Sequence, residues 1–184
     1  SERGLIIEPA SYLERAERGG EEHRIWLAPH GLRYYKATLP GKYGFMVIPN
    51  PAGQPDLADA SPLEYLERLL LQNAVFGDAI HLEGVAQEPQ GTVIVTSQPH
   101  IAGEATSREE MLSFMSKLWF KPLPGLHLGR SGSLAFYRDL DAVAAFDAHP
   151  GNFVKDQEGV VLPIDLILVR ASEALQQALK PFLE

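Results

Sequence analysis

Short apolar and aromatic runs, punctuated by glycine and proline, predict strands over most of this chain. His23–Ala28 and Leu32–Leu39 read as two strands turning at Pro29-His30-Gly31, and Tyr43–Ile48 as a third. Ile80–Ala86 and Thr92–Ser97 predict a further pair around Pro89-Gln90-Gly91. Leu134–Arg138, Ala142–Phe146, Phe153–Lys155 and Val160–Val169 continue the strand pattern in the second half. Helical spacing stands out in three places. Ser61-Pro62-Leu63-Glu64 opens a helix with a capping box, continued by Leu63, Leu66 and Leu70 and stopped at Gly77-Asp78. Ser107-Arg108-Glu109-Glu110 opens a second, ended by Pro122 and Pro124, and Ser172 a third, running to near Pro181. Glu8–Arg18 reads as a short polar helix broken by Gly19-Gly20, and Asn50–Ala60 as an exposed loop. This order predicts one α+β domain, residues 1–184, with two lobes. The lobes are residues 1–97 and 104–184, and the joint is 98–103.

Composition narrows the classes of function. The net charge of −8 over 184 residues argues against a nucleic-acid binder, which usually carries a basic footprint. The absence of cysteine excludes disulfides, thiolate nucleophiles and Cys-based zinc sites, and fits a reducing, cytoplasmic setting. The longest apolar run, near Val160–Val169, falls well short of the roughly 20 residues of a membrane span. No signal peptide is visible. A chain beginning at Ser1 rather than Met fits a piece of a longer polypeptide. His23, His30, His81, His100, His127 and His149 show no zinc-type spacing.

The chemistry concentrates in Asp147-Ala148-His149-Pro150-Gly151-Asn152 and in Val160–Leu166, which contains Asp165. Asp156-Gln157-Glu158-Gly159 reads as a hairpin tip. With Lys155 facing Val160, Phe153 faces Leu162 and Asn152 faces Pro163. Asn152 then lies beside Ile164-Asp165, and Asp147 enters the same pocket from the preceding loop. Asp165 stands inside an apolar run, where an unpaired carboxylate is costly and a divalent cation is one form of compensation. Mg²⁺ takes hard oxygens, usually one or two carboxylates with phosphates and water. Asp147 is then a candidate acceptor for a hydroxyl proton. The alternative is that Asp147 and Asn152 are turn and cap residues only.

The spacing resembles that of the protein-kinase superfamily, with an Asn five positions after an Asp and a second Asp thirteen positions later. Asp-Ala-His-Pro-Gly-Asn is also similar to the loop of small-molecule kinases of the aminoglycoside and choline type. The resemblance implies Asp147 as catalytic base and Asn152 and Asp165 as Mg²⁺ ligands. It further implies Lys36, mid-strand in Tyr-Tyr-Lys-Ala, as the lysine that holds the nucleotide phosphates. The alternative is a lysine snorkelling off a strand edge. Glu64 is already used by the capping box, so Glu67, taken to lie beside Leu63, Leu70 and Leu71, is the expected partner of Lys36. Gly19 and Gly20 are either a phosphate-facing turn or a helix stop. Thr96–Ile101, with Gln98 and His100, is the expected adenine hinge.

Taken with Gly-Gly-Glu-Glu-His, these segments resemble the compact serine/threonine/tyrosine-type kinase domain of bacterial polyvalent proteins of mobile elements and phages. That family implies a small two-lobed protein-kinase-like fold with a reduced C-terminal lobe, binding ATP and Mg²⁺ and acting on an unidentified hydroxyl acceptor, protein or small molecule. No His-Arg precedes Asp147, no Phe-Gly follows Asp165, and no regular substrate lobe follows. Two alternatives therefore stand beside phosphotransfer: a non-catalytic nucleotide-binding or interaction module, and a kinase-like fold that transfers AMP.

Overall fold

A computed structural model describes residues 5–19 and 23–183 of the chain. Its helices are α1 (Ala10–Leu13), α2 (Pro62–Phe76), α3 (Arg108–Lys117) and α4 (Glu173–Leu179). Strands β1 (Glu17–Gly19), β2 (His23–Leu27), β3 (Arg33–Thr38), β4 (Phe45–Pro49), β5 (Pro55–Asp59), β6 (His81–Glu88) and β7 (Gly91–Pro99) occupy the first hundred residues. Strands β8 (Gly103–Ala105), β9 (Lys121–Pro122), β10 (Leu134–Arg138), β11 (Val143–Ala148), β12 (Phe153–Asp156), β13 (Val161–Pro163) and β14 (Ile167–Arg170) follow. The class is α+β, as the pattern predicts. The helix expected over Glu8–Arg18 shrinks to α1, because residues 17–19 pair with β2 instead.

The chain divides into two compact units. The first runs to Gly44 and resumes over Asp59–His100; the second comprises Phe45–Ala58 and the chain from Ile101 onward. Segment 45–58, placed by chain order in the first lobe, thus packs with the second unit. It is also no loop. Asn50 Oδ1 accepts hydrogen bonds from the N–H groups of Ala52 (2.9 Å) and Gln54 (3.0 Å), and this tight turn folds β4 and β5 into a hairpin.

The first unit is built on a five-stranded antiparallel sheet in the order β1-β2-β3-β7-β6. One face carries Tyr12, Ala37, Ala86, Val93 and Val95, with Trp26 and Tyr35 packed beside them. The rings of Tyr12, Trp26 and Tyr35 form a stack with centroid spacings of 5.6 and 5.3 Å. Glu88 is buried at the end of β6 and is satisfied there by Tyr12 Oη (2.6 Å) and by Nη1 and Nη2 of Arg24 (2.5 and 3.2 Å).

Helix α2 has the predicted capping box, with the Glu64 N–H donating to Ser61 Oγ (3.3 Å) and the Ser61 N–H to Glu64 Oε2 (2.7 Å). Gly77, at φ +73°, ends it. Its buried face is not the leucine face. Tyr65, Arg68 and Gln72 are buried, whereas Leu63 and Leu70 are 64% and 68% exposed. The polar face can go inside because it is partnered. Tyr65 Oη meets His23 Nε2 at 3.2 Å, Gln72 donates to Asp78 at 2.6 Å, and Arg68 stacks over the Tyr65 ring.

In the second unit, a four-stranded sheet runs β14-β11-β10-β9 and a three-stranded sheet β13-β12-β8. The core joins Val47 of β4, Tyr137 of β10, Ala144 and Phe146 of β11, Ile167 of β14 and Leu175 and Leu179 of α4. The apolar run Val160–Val169 is not one strand. Its two ends enter different sheets, β13 and β14, and the chain bends at Ile164 and Asp165 between them.

Candidate functional site

The site begins with an irregularity in β11. Leu134 pairs with Ala148 and Phe136 with Ala145, so two residues, Phe146 and Asp147, stand opposite Ala135 alone. This β-bulge re-aims the backbone. Asp147 adopts φ +56° within the strand. The other two non-glycine residues with positive φ among those described are Trp119, just after α3, and Ala142, in the β10–β11 turn. Left-handed backbone is ordinary in such places and strained in a strand.

Asp147 is held on every side. Its N–H donates to Leu128 O (3.1 Å), and its Oδ1 accepts from the Arg130 N–H (2.6 Å). The Asn152 side-chain amide donates to Asp147 O (2.9 Å) and more weakly to Oδ2 (3.3 Å). A carbonyl oxygen only accepts, so the nitrogen of the Asn152 amide must face Asp147. That leaves Asn152 Oδ1 as the atom turned to other partners. Each carboxylate oxygen of Asp147 keeps a further lone pair for an incoming hydroxyl.

Between them, His149 caps the 3-10 turn Pro150–Asn152, its Nδ1 accepting from the Gly151 N–H at 3.1 Å. The hairpin that follows is shifted by one residue from the expected register: Phe153 faces Pro163, Val154 faces Leu162 and Lys155 faces Val161. The cause is Asp156. Its Oδ1 accepts from the N–H groups of Glu158 (2.9 Å) and Val160 (2.8 Å), so Asp156, not Lys155, sits across from Val160. Asn152 therefore meets Ile164 rather than Pro163, and the Ile164 N–H donates to Asn152 O at 2.8 Å. Asp165 follows at the bend, half-buried rather than enclosed in an apolar strand.

No group of three or more His, Cys, Asp or Glu able to hold a metal occurs among the described residues. Asn152 Oδ1 and the Asp165 carboxylate are two hard oxygen donors just outside the paired strands of the hairpin, Asn152 preceding β12 and Asp165 following β13. A pair of this kind suits a cation whose remaining ligands come from phosphate and water.

The other expected residues lie in the first unit. Lys36 is mid-strand in β3, half-buried between Ile25 and Thr96 on the neighbouring strands. Its charge reaches Asp78, whose carboxyl is pushed up by burial and pulled down by the Gln72 amide and by Lys36. Glu67 is exposed on α2, and the leucines taken to mark a buried face around it, Leu63 and Leu70, are exposed too. Gly19 ends β1 opposite His23 and so stops no helix, while Gly20 lies outside the described residues. Gln98 sits within β7 opposite Tyr34. His100 is tied back to the β2–β3 turn, its N–H donating to Leu32 O (2.9 Å) and its Nδ1 to Gly31 O (3.0 Å).

Sequence reasoning missed Gly129, Arg130 and Asp78. Gly129 has φ +101°, and a Cβ there would lie 2.6 Å from Asp147 Cβ and 2.5 Å from its Cγ. The available signal was the cluster of Gly125, Gly129 and Gly132. No family model matches the chain, and neither a curated protein nor a solved structure matches it.

Proposed function

We propose that this chain is an atypical kinase-like phosphotransferase that uses Mg-ATP to phosphorylate a hydroxyl acceptor. The observation that carries this reading is the Asp147–Asn152 loop. A strained aspartate is gripped by the amide of an asparagine five residues on, and that asparagine is bonded through its backbone to the residue preceding Asp165. Asp165 and Asn152 Oδ1 would hold Mg²⁺. Bound Mg-ATP supplies the γ-phosphoryl group.

Asp147 orients the acceptor hydroxyl and takes its proton as the acceptor oxygen bonds to the γ-phosphorus and the bond to the ADP oxygen breaks. Its carboxylate is already fixed by the Arg130 N–H, so little reorganisation remains at the moment of transfer. The resemblance to the polyvalent-protein kinase domains supports the same assignment of roles.

Thermal unfolding with and without Mg-ATP tests the reading in wild type and Asp165→Ala. Ligand at about 100 times its dissociation constant should add about 2.7 kcal/mol to the wild type. The rise should need Mg²⁺ and vanish in the variant. A folded wild type with no rise refutes nucleotide binding. Binding without turnover of any acceptor leaves a nucleotide-binding module, and label transferred from the α- rather than the γ-phosphate identifies AMP transfer.

A further inference from the structure

Arg130 belongs to the Asp147 surround, and the proposed chemistry does not use its side chain. Its backbone N–H is locked onto Asp147 Oδ1 at 2.6 Å. The turn that carries it is closed by the Ser133 N–H to Arg130 O (3.0 Å) and by Ser133 Oγ to Leu128 O (3.0 Å). Leu128 O in turn accepts the Asp147 N–H. The guanidinium is therefore presented from a fixed base. It reaches over the loop, with Nη1 3.9 Å from where a Gly151 Cβ would stand. It is exposed and makes no ion pair or hydrogen bond among the described residues, although the Asp147 carboxylate holds its own backbone.

We propose that Arg130 forms an anion subsite beside Asp147, which selects acceptors bearing a phosphate or carboxylate near the hydroxyl that is phosphorylated. The proposal rests on Asp147 being the base of the transfer reaction. The chemistry follows from the group. A guanidinium is always charged and presents a planar fork of donors that matches a two-oxygen anion. In a chain of net charge −8, a solitary unpaired arginine at the rim of a carboxylate site offsets the local repulsion an anionic acceptor would meet. A Cβ at Gly151 would meet the His149 ring at 3.1 Å and stand 3.9 Å from Arg130 Nη1, so this turn lies within reach of the guanidinium.

Phosphoserine and serine are the probes, titrated into isotopically labelled protein without nucleotide. Phosphoserine should shift the Arg130 Nε and Gly151 N–H resonances and bind at least tenfold more tightly than serine. Arg130→Ala should abolish that preference, and Arg130→Lys should retain part of it. Equal responses to the two probes, or a preference that survives in Arg130→Ala, overturn the subsite. The Mg-ATP thermal rise separates the two sources of phosphate. A rise that persists in Arg130→Ala supports the acceptor assignment, and a rise lost there means the guanidinium reads the nucleotide, which overturns it. A wild type with no Mg-ATP rise defeats the phosphotransfer reading and the acceptor role with it, while the phosphoserine arm still reports whether an anion binds Arg130.

Discussion

Gly129→Ala is the sharpest perturbation of the candidate site, because backbone and packing both oppose it. At φ +101° an alanine is strained, and such a conformation costs about 1–2 kcal/mol for a residue with a Cβ. The new methyl would also lie 2.6 Å from Asp147 Cβ, where a real contact is essentially never found, and relieving such an overlap costs about 1–3 kcal/mol. Together they predict a loss of about 3 kcal/mol. Gly132→Ala, three residues on in the same turn, is the internal control. Its φ is +79° and nothing lies within 4 Å of its Cβ position, so the backbone part alone remains, about 1 kcal/mol.

Urea unfolding of both variants, followed by a probe in the second unit, measures the difference. Asp147→Gly completes a cycle. It removes the atoms that the new methyl would strike, so in that background Gly129→Ala should cost no more than Gly132→Ala, a coupling of about 2 kcal/mol. Equal losses from Gly129→Ala and Gly132→Ala in the wild type would refute the packing argument. So would a Gly129→Ala penalty unchanged by Asp147→Gly.

Glu88→Ala should destabilise the first unit by about 3 kcal/mol, read from its urea midpoint, because it leaves Arg24 and the buried Tyr12 hydroxyl without their acceptor. Ser61→Ala should cost about 1 kcal/mol through the loss of the α2 cap, measured in the same way. Asp147→Asn should abolish phosphotransfer in a γ-phosphate label assay yet leave the fold intact, since asparagine tolerates the left-handed backbone at this position. Stability around α3 should depend on pH. Glu110 is held down to about 2, first by the Ser107 N–H and then by Lys155, so its contribution is present above 4.5 and is lost as pH falls through about 2. Lys155 is raised to about 12, first by Glu104 and then by Glu110, so its contribution is present below 10.5 and is lost as pH rises through about 12. Amide hydrogen exchange at the start of α3 follows both limits.

Elements marked by local chemistry were legible in the sequence. The capping boxes at Ser61 and Ser107 start α2 and α3 where expected, because two reciprocal hydrogen bonds within four residues need nothing from the rest of the chain. The Asp147–Asn152 spacing and the hairpin tip after it were legible for the same reason. What failed depended on distant partners. The leucines of α2 look like a core stripe until His23 and Asp78 turn out to satisfy Tyr65 and Gln72 on another face. Val160–Val169 looks like one strand until its ends are claimed by two sheets. The hairpin register failed by one residue because the Asp156 side chain, rather than the apolar pattern, sets the turn. Gly129 could not be tied to the site, since the glycine cluster marks only a loop and the partner that requires a glycine there, Asp147, stands eighteen residues away.

These departures from local preference fall together. Propensity would keep β11 regular and continue the run past Ile164, yet the bulge at Phe146–Asp147 and the bend at Asp165 both occur beside Asn152. Strain of about 1–3 kcal/mol at a residue persists only where its surroundings over-determine it. At Asp147 the surroundings comprise a backbone carbonyl, a backbone N–H and an asparagine amide, with a glycine that alone leaves room for the carboxylate. A plain turn needs no such arrangement, because glycine at 147 would reach the same backbone without strain. The fold instead fixes a carboxylate there and keeps lone pairs on it open, an arrangement that suits the proton abstraction proposed for Asp147.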